Sequence, residues 1–193
     1  MEILGKILGS SARVKIMRLF FLNPKKVFAG AEVVKRARIS SDSSRRELRL
    51  LNSIGFLKKR GGGYIFNPLF KYAHEFEYLL VGSDSLDRES VITNFKKIGK
   101  LKLLILSGVF IKNKETRVDL LIVGDKIKKS KAEEEIAKLE AEVGTEITYA
   151  LFDTKEFTYR INMYDKLIRD VLDFPHEVVF QAKELSTQSA KKA

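Results

Sequence analysis

The spacing of hydrophobic positions changes along this chain and divides it into two parts. Over residues 1–66 the apolar side chains follow helical spacing in three stretches, and two short apolar runs on either side of three glycines then predict a β-hairpin. Beyond residue 93, short apolar strands alternate with amphipathic helices, a pattern typical of an α/β domain built on a small mixed sheet. The pattern therefore predicts the α+β class, with a helical part followed by an α/β part.

Capping residues predict where the first three helices begin and end. Ser10-Ser11 supplies a favourable N-cap for the first helix, and Asn23-Pro24 ends it. A second short helix over 30–38 and a turn follow, and a third helix over 41–55 ends with Gly55 in the C′ position. Helix, helix, turn, helix and hairpin is the element order of a winged helix-turn-helix domain.

The second part of the chain is predicted to contain three strands and four helices before a last apolar run at 177–180. The strands cover 102–108, 117–124 and 146–152, and the helices cover 91–99, 129–144, 154–163 and 165–172. The whole chain is then divided into four segments by these elements. They are a winged helix-turn-helix domain at 1–68, a connecting helix and linker at 69–92, an α/β domain at 93–181, and a polar tail at 182–193 that is predicted to be disordered. The connecting helix is predicted over 69–80 and is expected to pack beside the winged helix-turn-helix domain.

The positive charge of the chain is unevenly distributed. The net charge is +11, and residues 1–66 carry 15 Lys and Arg against 4 Asp and Glu, whereas the remaining residues carry 21 of each. Such asymmetry predicts a module that binds a polyanion, joined to an electrostatically balanced one. Nucleic acid is favoured over a membrane surface or an acidic protein as the partner.

Composition also limits the chemistry that the chain can perform. There is no cysteine, and the only histidines, His74 and His176, are far apart in sequence, so neither a thiolate site nor an all-histidine metal site is expected. No apolar run approaches the ~20 residues needed to cross a bilayer. We therefore expect a cytoplasmic protein that has no membrane partner, no metal and no cofactor.

The third predicted helix has two different faces. Ser44, Leu48 and Leu51 define the side expected to face the core. The opposite side and the hairpin carry the residues that we predict to contact DNA, with bases read at the start of the helix and phosphates bound on the hairpin. These residues are Ser41, Asp42, Ser43, Arg45, Arg46 and Arg49 on the helix, and Lys58, Lys59 and Arg60 on the hairpin. Arg13 and Lys15 are further candidates for phosphate contacts.

Three stretches of the first part resemble the winged helix-turn-helix transcriptional regulators. They are GSSARVKI at 9–16, SSRREL at 43–48 and LNSIGFLK at 51–58. The resemblance covers about the first third of the chain and implies binding to double-stranded DNA. A homodimer is expected, since paired recognition helices read half-sites about one DNA turn apart.

The α/β part resembles the minimal nucleotidyltransferase fold, but without a full set of catalytic residues. In that family a strand ends in Gly-Ser and the next strand carries Asp-x-Asp, whose two acids hold magnesium. Here the glycine and serine are inverted as Ser107-Gly108, Asp119 matches the second acid, and Arg117 replaces the first. For the third acid there is no clear candidate: Glu146 lies at the edge of the strand expected to carry it, and Asp153 lies just past the end of that strand. The resemblance therefore implies a degenerate site with no catalytic residue, in which Asp119 is satisfied by Arg117 or by backbone amides.

The predicted function is that of a non-enzymatic, DNA-binding transcriptional regulator. Its second domain is expected to sense a small molecule, bind a protein or mediate dimerisation, with packing or dimer contacts from Tyr164, Leu167, Ile168, Val171 and Leu172. One alternative is an active nucleotidyltransferase that modifies RNA or protein and uses the winged helix to bind its substrate. Another is an adaptor whose winged helix binds RNA or protein.

Overall fold

The computed structural model describes residues 3–82, 86–113 and 115–185, and these residues form two compact units. The first unit consists of the described residues within Met1–Leu86 and Ala137–Glu146. The second unit consists of those within Asp87–Ile136 and Ile147–Ala193. The chain is of the α+β class, as predicted, with a small antiparallel sheet in the first unit and a mixed sheet in the second.

The first unit consists of helices followed by a β-hairpin and a further short helix. Its elements are α1 (Ile3–Ile7), α2 (Ser11–Leu22), α3 (Gly30–Ala37), α4 (Ser41–Ser53), β1 (Leu57–Arg60), β2 (Gly63–Phe66), α5 (Ala73–Glu77) and a π-helical turn at Tyr78–Gly82. The predicted caps are present, because Ser10 Oγ accepts a hydrogen bond from the Arg13 amide at 3.1 Å and Gly55 has a φ of +79°.

Aromatic side chains join the helices of the first unit to its hairpin. The ring of Phe56 lies 5.1 Å from that of Phe21 in α2 and 5.3 Å from that of Phe66 in β2, both in edge-to-face geometry. Phe28 and Tyr64 exchange two backbone hydrogen bonds of 2.9 Å. Each aromatic pair adds about 0.5–1.5 kcal/mol beyond its buried area. The hairpin is therefore held firmly against the helical core.

The segment predicted to be a connection at 69–92 packs largely within the first unit. Leu80, in the π-helical turn, is 1% exposed and belongs to the core that α2 helps to build. The buried Arg18 of α2 donates from Nε to the carbonyl oxygen of Leu80 at 2.8 Å. The single helix predicted over 69–80 is instead a short helix followed by the π-helical turn. Residues 83–85 of the predicted linker lie outside the described residues.

The second unit is built around the mixed sheet. Its elements are α6 (Arg88–Ile98), β3 (Lys100–Leu106), a 3₁₀ turn at Gly108–Phe110, β4 (Leu120–Asp125), α7 (Lys129–Val143, of which 137–143 is grouped with the first unit), β5 (Tyr149–Phe152), α8 (Thr154–Asn162), α9 (Lys166–Asp173) and β6 (Glu177–Gln181). The strand order is β5-β4-β3-β6, in which β3 is antiparallel to both neighbours and β4 is parallel to β5. The two central strands are almost entirely buried.

The carboxyl-terminal part of the described chain is more ordered than its sequence predicts. The apolar run at 177–180 forms the edge strand β6, and Ala182 continues the pairing by donating to the carbonyl oxygen of Lys102 at 2.8 Å. Leu185 is 5% exposed and packs in the core of the second unit. Residues 182–185 therefore depart from the predicted disordered tail, and 186–193 lie outside the described residues.

Candidate functional site

The two faces of α4 agree with the sequence pattern. Ser44, Leu48 and Leu51 are buried against the core of the first unit. Asp42 and Arg49 are exposed, and the side chains of Arg45 and Arg46 are 73% and 72% exposed. The predicted DNA-contacting side of α4 is therefore accessible along its length.

An ion pair between the buried Glu47 and the partly exposed Arg13 holds α4 against α2. Glu47 is 1% exposed, and its Oε2 accepts a hydrogen bond of 2.9 Å from Arg13 Nε. Arg13 also donates from Nη1 to the carbonyl oxygen of Leu8 at 2.7 Å. A carboxylate removed from water needs such donors, because an unpaired buried charge costs several kcal/mol. This role of Glu47 was not predicted, although the residue lies three positions after Ser44 and four before Leu51, at core spacing.

Neither of the two basic residues of α2 that were suggested as phosphate contacts is available. Arg13 is directed at Glu47, and Lys15 Nζ lies 2.7 Å from Glu142 Oε1. The suggestion is therefore corrected, because both cations already neutralise carboxylates within the first unit.

The remaining cations of the predicted DNA interface have weak partners or none. Arg45 lies 3.8 Å from Asp42 in an exposed i,i+3 pair, and Arg46 lies 3.6 Å from the second oxygen of Glu47. The exposed Arg45–Asp42 pair contributes little to stability, and Arg46 is secondary to Arg13, whose Nε is only 2.9 Å from Glu47. Within the part of the chain that the structure describes, no carboxylate pairs with Arg49, nor with the hairpin cations that follow. Several positive charges are thus free to meet an external anion.

The hairpin presents its cations on a strand with only one buried position. Leu57 is buried, whereas Lys58, Lys59 and Arg60 are all exposed. The turn that follows uses Gly61 and Gly62 in left-handed conformations, with φ of +53° and +78°. Together these residues give a short basic strand that ends in a tight turn.

The serines at the start of α4 have different roles. Ser40 is the N-cap, and its Oγ accepts from the Ser43 amide at 3.2 Å and donates to Ser43 Oγ at 3.0 Å. The hydroxyl of Ser43 is therefore partly engaged in the cap, while Ser41 is exposed. Of the two predicted serine contacts, Ser41 is the more accessible.

In the second unit, Asp119 is satisfied by backbone amides on both of its oxygens. The residue is 9% exposed; Oδ1 accepts from the Val109 amide at 2.9 Å and Oδ2 accepts from the Thr148 amide at 2.8 Å. Gly108 is required beside it, because its φ is +52° and an added Cβ would overlap Oδ1. Ser107 is fully buried and donates from Oγ to the carbonyl oxygen of Val118. The carboxylate thus ties together the loops around β4.

The other residues considered for a nucleotidyltransferase-like site are directed elsewhere. Arg117 Nε lies 3.3 Å from Asp170 Oδ2 and makes no pair with Asp119 among the described residues. Glu146 pairs with Arg36, whose hydrogen bond and positive charge hold the pKa of Glu146 below its usual value. Asp153 caps α8 by accepting from the Glu156 amide at 2.8 Å. In the described ranges, no group of three or more histidines and acids is arranged to hold a metal ion.

The residues predicted as packing or dimer contacts separate into two groups. Ile168 and Val171 are buried in the core of the second unit, and Leu167 packs against it. Tyr164 and Leu172 are exposed. Only the second group is accessible to a partner.

Comparison with known proteins provides no family assignment. No family model, curated protein or solved structure matches the chain. None of the described helices is long and apolar enough to span a bilayer. Function must therefore be inferred from the surfaces themselves.

Proposed function

We propose that this chain is a transcriptional regulator that binds duplex DNA through a winged helix-turn-helix domain in its first unit. The observation that carries the proposal is the outward side of α4, where Arg45, Arg46 and Arg49 are exposed while Leu48 and Leu51 are buried. In this assignment α4 is the recognition helix and the β1–β2 hairpin is the wing.

The chemistry of the exposed residues suits this assignment. A guanidinium donates two parallel hydrogen bonds that match O6 and N7 of guanine in the major groove, and an exposed carboxylate such as that of Asp42 accepts from N4 of cytosine. On the hairpin, Lys58, Lys59 and Arg60 neutralise phosphates and set the orientation of the domain on the duplex. The Arg13–Glu47 pair and the Phe28–Tyr64 bridge support the proposal, because they hold both elements in place before DNA arrives.

For the second unit we propose a nucleotidyltransferase-like domain without catalysis, which senses a small molecule, binds a protein or mediates dimerisation. The proposal is supported by the two amides that occupy Asp119 and by the pairing of Arg117 with Asp170. A metal ion at Asp119 would have to share a carboxylate whose two oxygens already accept the backbone hydrogen bonds that hold the loops around β4. The exposed side chains of Tyr164 and Leu172 are consistent with contacts to a second copy.

The test begins with selection of bound sequences from a random duplex pool by the full chain, followed by affinity measurements on the enriched site. We expect Arg45→Ala and Arg46→Ala each to cost about 1–3 kcal/mol on that site, which is about 5- to 150-fold in Kd, and to relax base preference at one position. The reason is that removing a bidentate hydrogen-bonding group removes discrimination at the base it read.

Arg169→Ala supplies a matched control for these variants. Arg169 is an exposed arginine in α9 of the second unit that pairs with Asp173 at 3.1 Å, so its replacement removes the same charge from a different surface. We expect its affinity to stay within about twofold of wild type. The proposal fails if no sequence is enriched, or if Arg169→Ala weakens binding as much as Arg45→Ala does.

The absence of catalysis is tested by incubating the chain with labelled nucleotides, Mg²⁺, and RNA or protein acceptors. We expect no transfer of label. Transfer that is abolished in Asp119→Asn would contradict the proposal, provided that the variant retains the wild-type circular dichroism spectrum and melting temperature.

A further inference from the structure

Two basic segments of the second unit meet at one end of its mixed sheet. Lys100, at the start of β3, pairs in register with Asp125, at the end of β4. Gly99 lies directly against the loop that follows β4, since an added Cβ would lie 2.5 Å from Ile127 Cγ1. Residues 99–100 and 125–127 are therefore spatial neighbours, and residues 96–98 and 128–131 adjoin this junction along the chain.

These two segments present a group of unpaired lysines, which we call the lysine cluster. Its members are Lys97, Lys100, Lys126, Lys128 and Lys131. All five are exposed, and none forms an ion pair with another described residue. Two neighbouring lysines are excluded from the cluster because they have partners: Lys96 lies over the Phe180 ring at 4.2 Å, and Lys129 lies 3.9 Å from Glu133.

Asp125, which pairs with Lys100 across the sheet, already has a hydrogen-bond donor. Asp125 Oδ1 accepts from the Thr154 amide at 3.1 Å. This hydrogen bond lowers the pKa of Asp125, and the charges of Lys102 and Lys100 lower it further. The next acids along the chain begin at Glu133 in α7, where Glu133 Oε1 lies 3.9 Å from Lys129 and accepts from the Tyr149 hydroxyl at 3.2 Å. Asp125 alone does not neutralise the ammonium groups of the lysines around it. The positive potential at this end of the sheet is therefore directed to solvent.

The local charge is hidden by the balance of the whole second part. Residues 96–131 contain 11 Lys and Arg against 3 Asp and Glu, a net of +8, whereas residues 132–193 have a net of −5 and residues 67–95 a net of −3. The net charge of residues 67–193 is therefore zero. For that reason the net charge of the whole second part does not reveal the cluster.

Stabilisation of the fold does not account for these lysines. Lys128 and Lys131 lie just before and within the first turn of α7, where the positive end of the helix dipole disfavours cations, and no acid lies in that turn to offset them. Like charges on adjacent segments also repel one another. An external anion would remove both unfavourable contributions.

We infer that the lysine cluster binds backbone phosphates of duplex DNA and supplies a sequence-independent contact separate from α4. This contact rests on the proposed function that the chain binds DNA, and it extends that function to the second unit. A lysine ammonium is a compact point charge suited to phosphate, without the planar fork with which arginine reads guanine. A lipid surface is less suitable, because no large apolar side chain among residues 96–100 and 126–131 is exposed to enter the bilayer.

The test compares full-length variants on duplex DNA over a series of salt concentrations, with and without the selected site. The cluster variant is Lys97→Gln/Lys128→Gln. Its matched control is Lys155→Gln/Lys166→Gln, which removes the same charge from exposed lysines of α8 and α9 that make no ion pair with other described residues. A third variant, Arg45→Ala/Arg46→Ala, reports on α4.

For the cluster variant we expect the slope of log affinity against log salt concentration to fall by about 0.9 for each phosphate that is no longer neutralised, hence by up to about 2. The ratio of site to non-site affinity should stay unchanged, because phosphates carry no sequence information. For the control we expect the wild-type slope. The inference is overturned if the cluster variant keeps that slope, or if the slope of the control falls as much, since net charge alone would then explain the effect.

The two proposals fail in distinguishable ways. If Arg45→Ala/Arg46→Ala loses site preference while the cluster variant matches wild type, α4 reads DNA and the lysine cluster does not bind it. If the α4 variant matches wild type while the cluster variant loses affinity, the cluster binds DNA and the proposed recognition helix is wrong. A parallel flotation assay uses vesicles of phosphatidylcholine and phosphatidylserine. Loss of vesicle binding in the cluster variant, with DNA binding intact, overturns the assignment to DNA.

Discussion

At the scale of single residues, Glu47 shows how one buried charge can orient the surface that we propose to bind DNA. Its carboxylate is 1% exposed and depends on Arg13, which is itself partly accessible. The side chains of Arg45 and Arg46 on the opposite side of α4 are 73% and 72% exposed. The helix is therefore anchored by a charge on one side and presents charges on the other. The orientation of Arg45 and Arg46 therefore depends indirectly on a residue that would not contact DNA.

We predict that Arg13→Met lowers the free energy of unfolding by about 1–3 kcal/mol, because it leaves the Glu47 carboxylate buried without its main donor. The double variant Arg13→Met/Glu47→Leu should regain most of that stability, since an apolar pair has no charge to desolvate. Urea denaturation monitored by circular dichroism measures both. Equal stabilities of wild type and Arg13→Met, or a double variant no more stable than the single one, would contradict this role.

Asp119 illustrates what sequence can and cannot predict for a single residue. Asp119 lies at the start of a buried strand, and Arg117 lies two positions earlier. These two facts favoured a structural role for the Asp119 carboxylate over a role as metal ligand. The donors could not be chosen from sequence, because the amides of Val109 and Thr148 come from segments 10 and 29 residues away. Arg117 was one of the two expected donors, yet it pairs with Asp170 instead.

At the scale of elements, the hairpin depends on one close backbone approach. An added Cβ at Gly63 would lie 2.6 Å from the carbonyl oxygen of Phe28, so only glycine allows the Phe28–Tyr64 bridge to form. The bridge ties β2 to the segment between α2 and α3. The position of the hairpin therefore depends on this contact with the helical core as well as on the hairpin's own turn.

We predict that Gly63→Ala destabilises the first unit by about 1–3 kcal/mol, as other overpacked sites do, and weakens DNA binding by displacing the hairpin. Thermal unfolding and DNA affinity are measured together. Gly30→Ala is the control, since an added Cβ at Gly30 meets no atom within 4 Å. If Gly63→Ala binds DNA with wild-type affinity despite a lower melting temperature, the hairpin is not part of the interface.

Most elements could be predicted from sequence because their signals are local. Asn23-Pro24 and Gly55 mark the ends of α2 and α4, and alternating strands and helices indicate the mixed sheet. β6 was missed as a strand because an edge strand pairs on one side only, and its partner β3 lies about 75 residues earlier in the chain. The π-helical turn at Tyr78–Gly82 was also missed, since its packing depends on Arg18, far away in sequence.

At the scale of the whole molecule, the net charge of a long segment can conceal a basic region within it. The sum over residues 67–193 is zero, but the basic residues of the lysine cluster come before the run of acids that begins at Glu133 within α7. The overall count correctly singled out the first 66 residues as basic, and it concealed the second basic region. A moving window of about 30 residues would have revealed the cluster from sequence alone.

We predict that sequence selection enriches a palindrome whose half-sites are centred about 10 base pairs apart, since a two-fold dimer presents two recognition helices about one DNA turn apart. Analytical ultracentrifugation of the complex should then give two chains per duplex. Enrichment of a single asymmetric site, bound by one chain, would contradict the homodimer.

The Arg13–Glu47 pair also bears on how the protein can be purified. Salt screens exposed charges strongly and buried or partly buried pairs much less. Proteins that contact six to ten phosphates become about 10³–10⁵ weaker in affinity between 50 and 200 mM salt. On the proposed function, co-purifying nucleic acid should wash away in moderate salt while α4 remains anchored. The chain would then be recovered folded, free of DNA and competent to bind again after dilution.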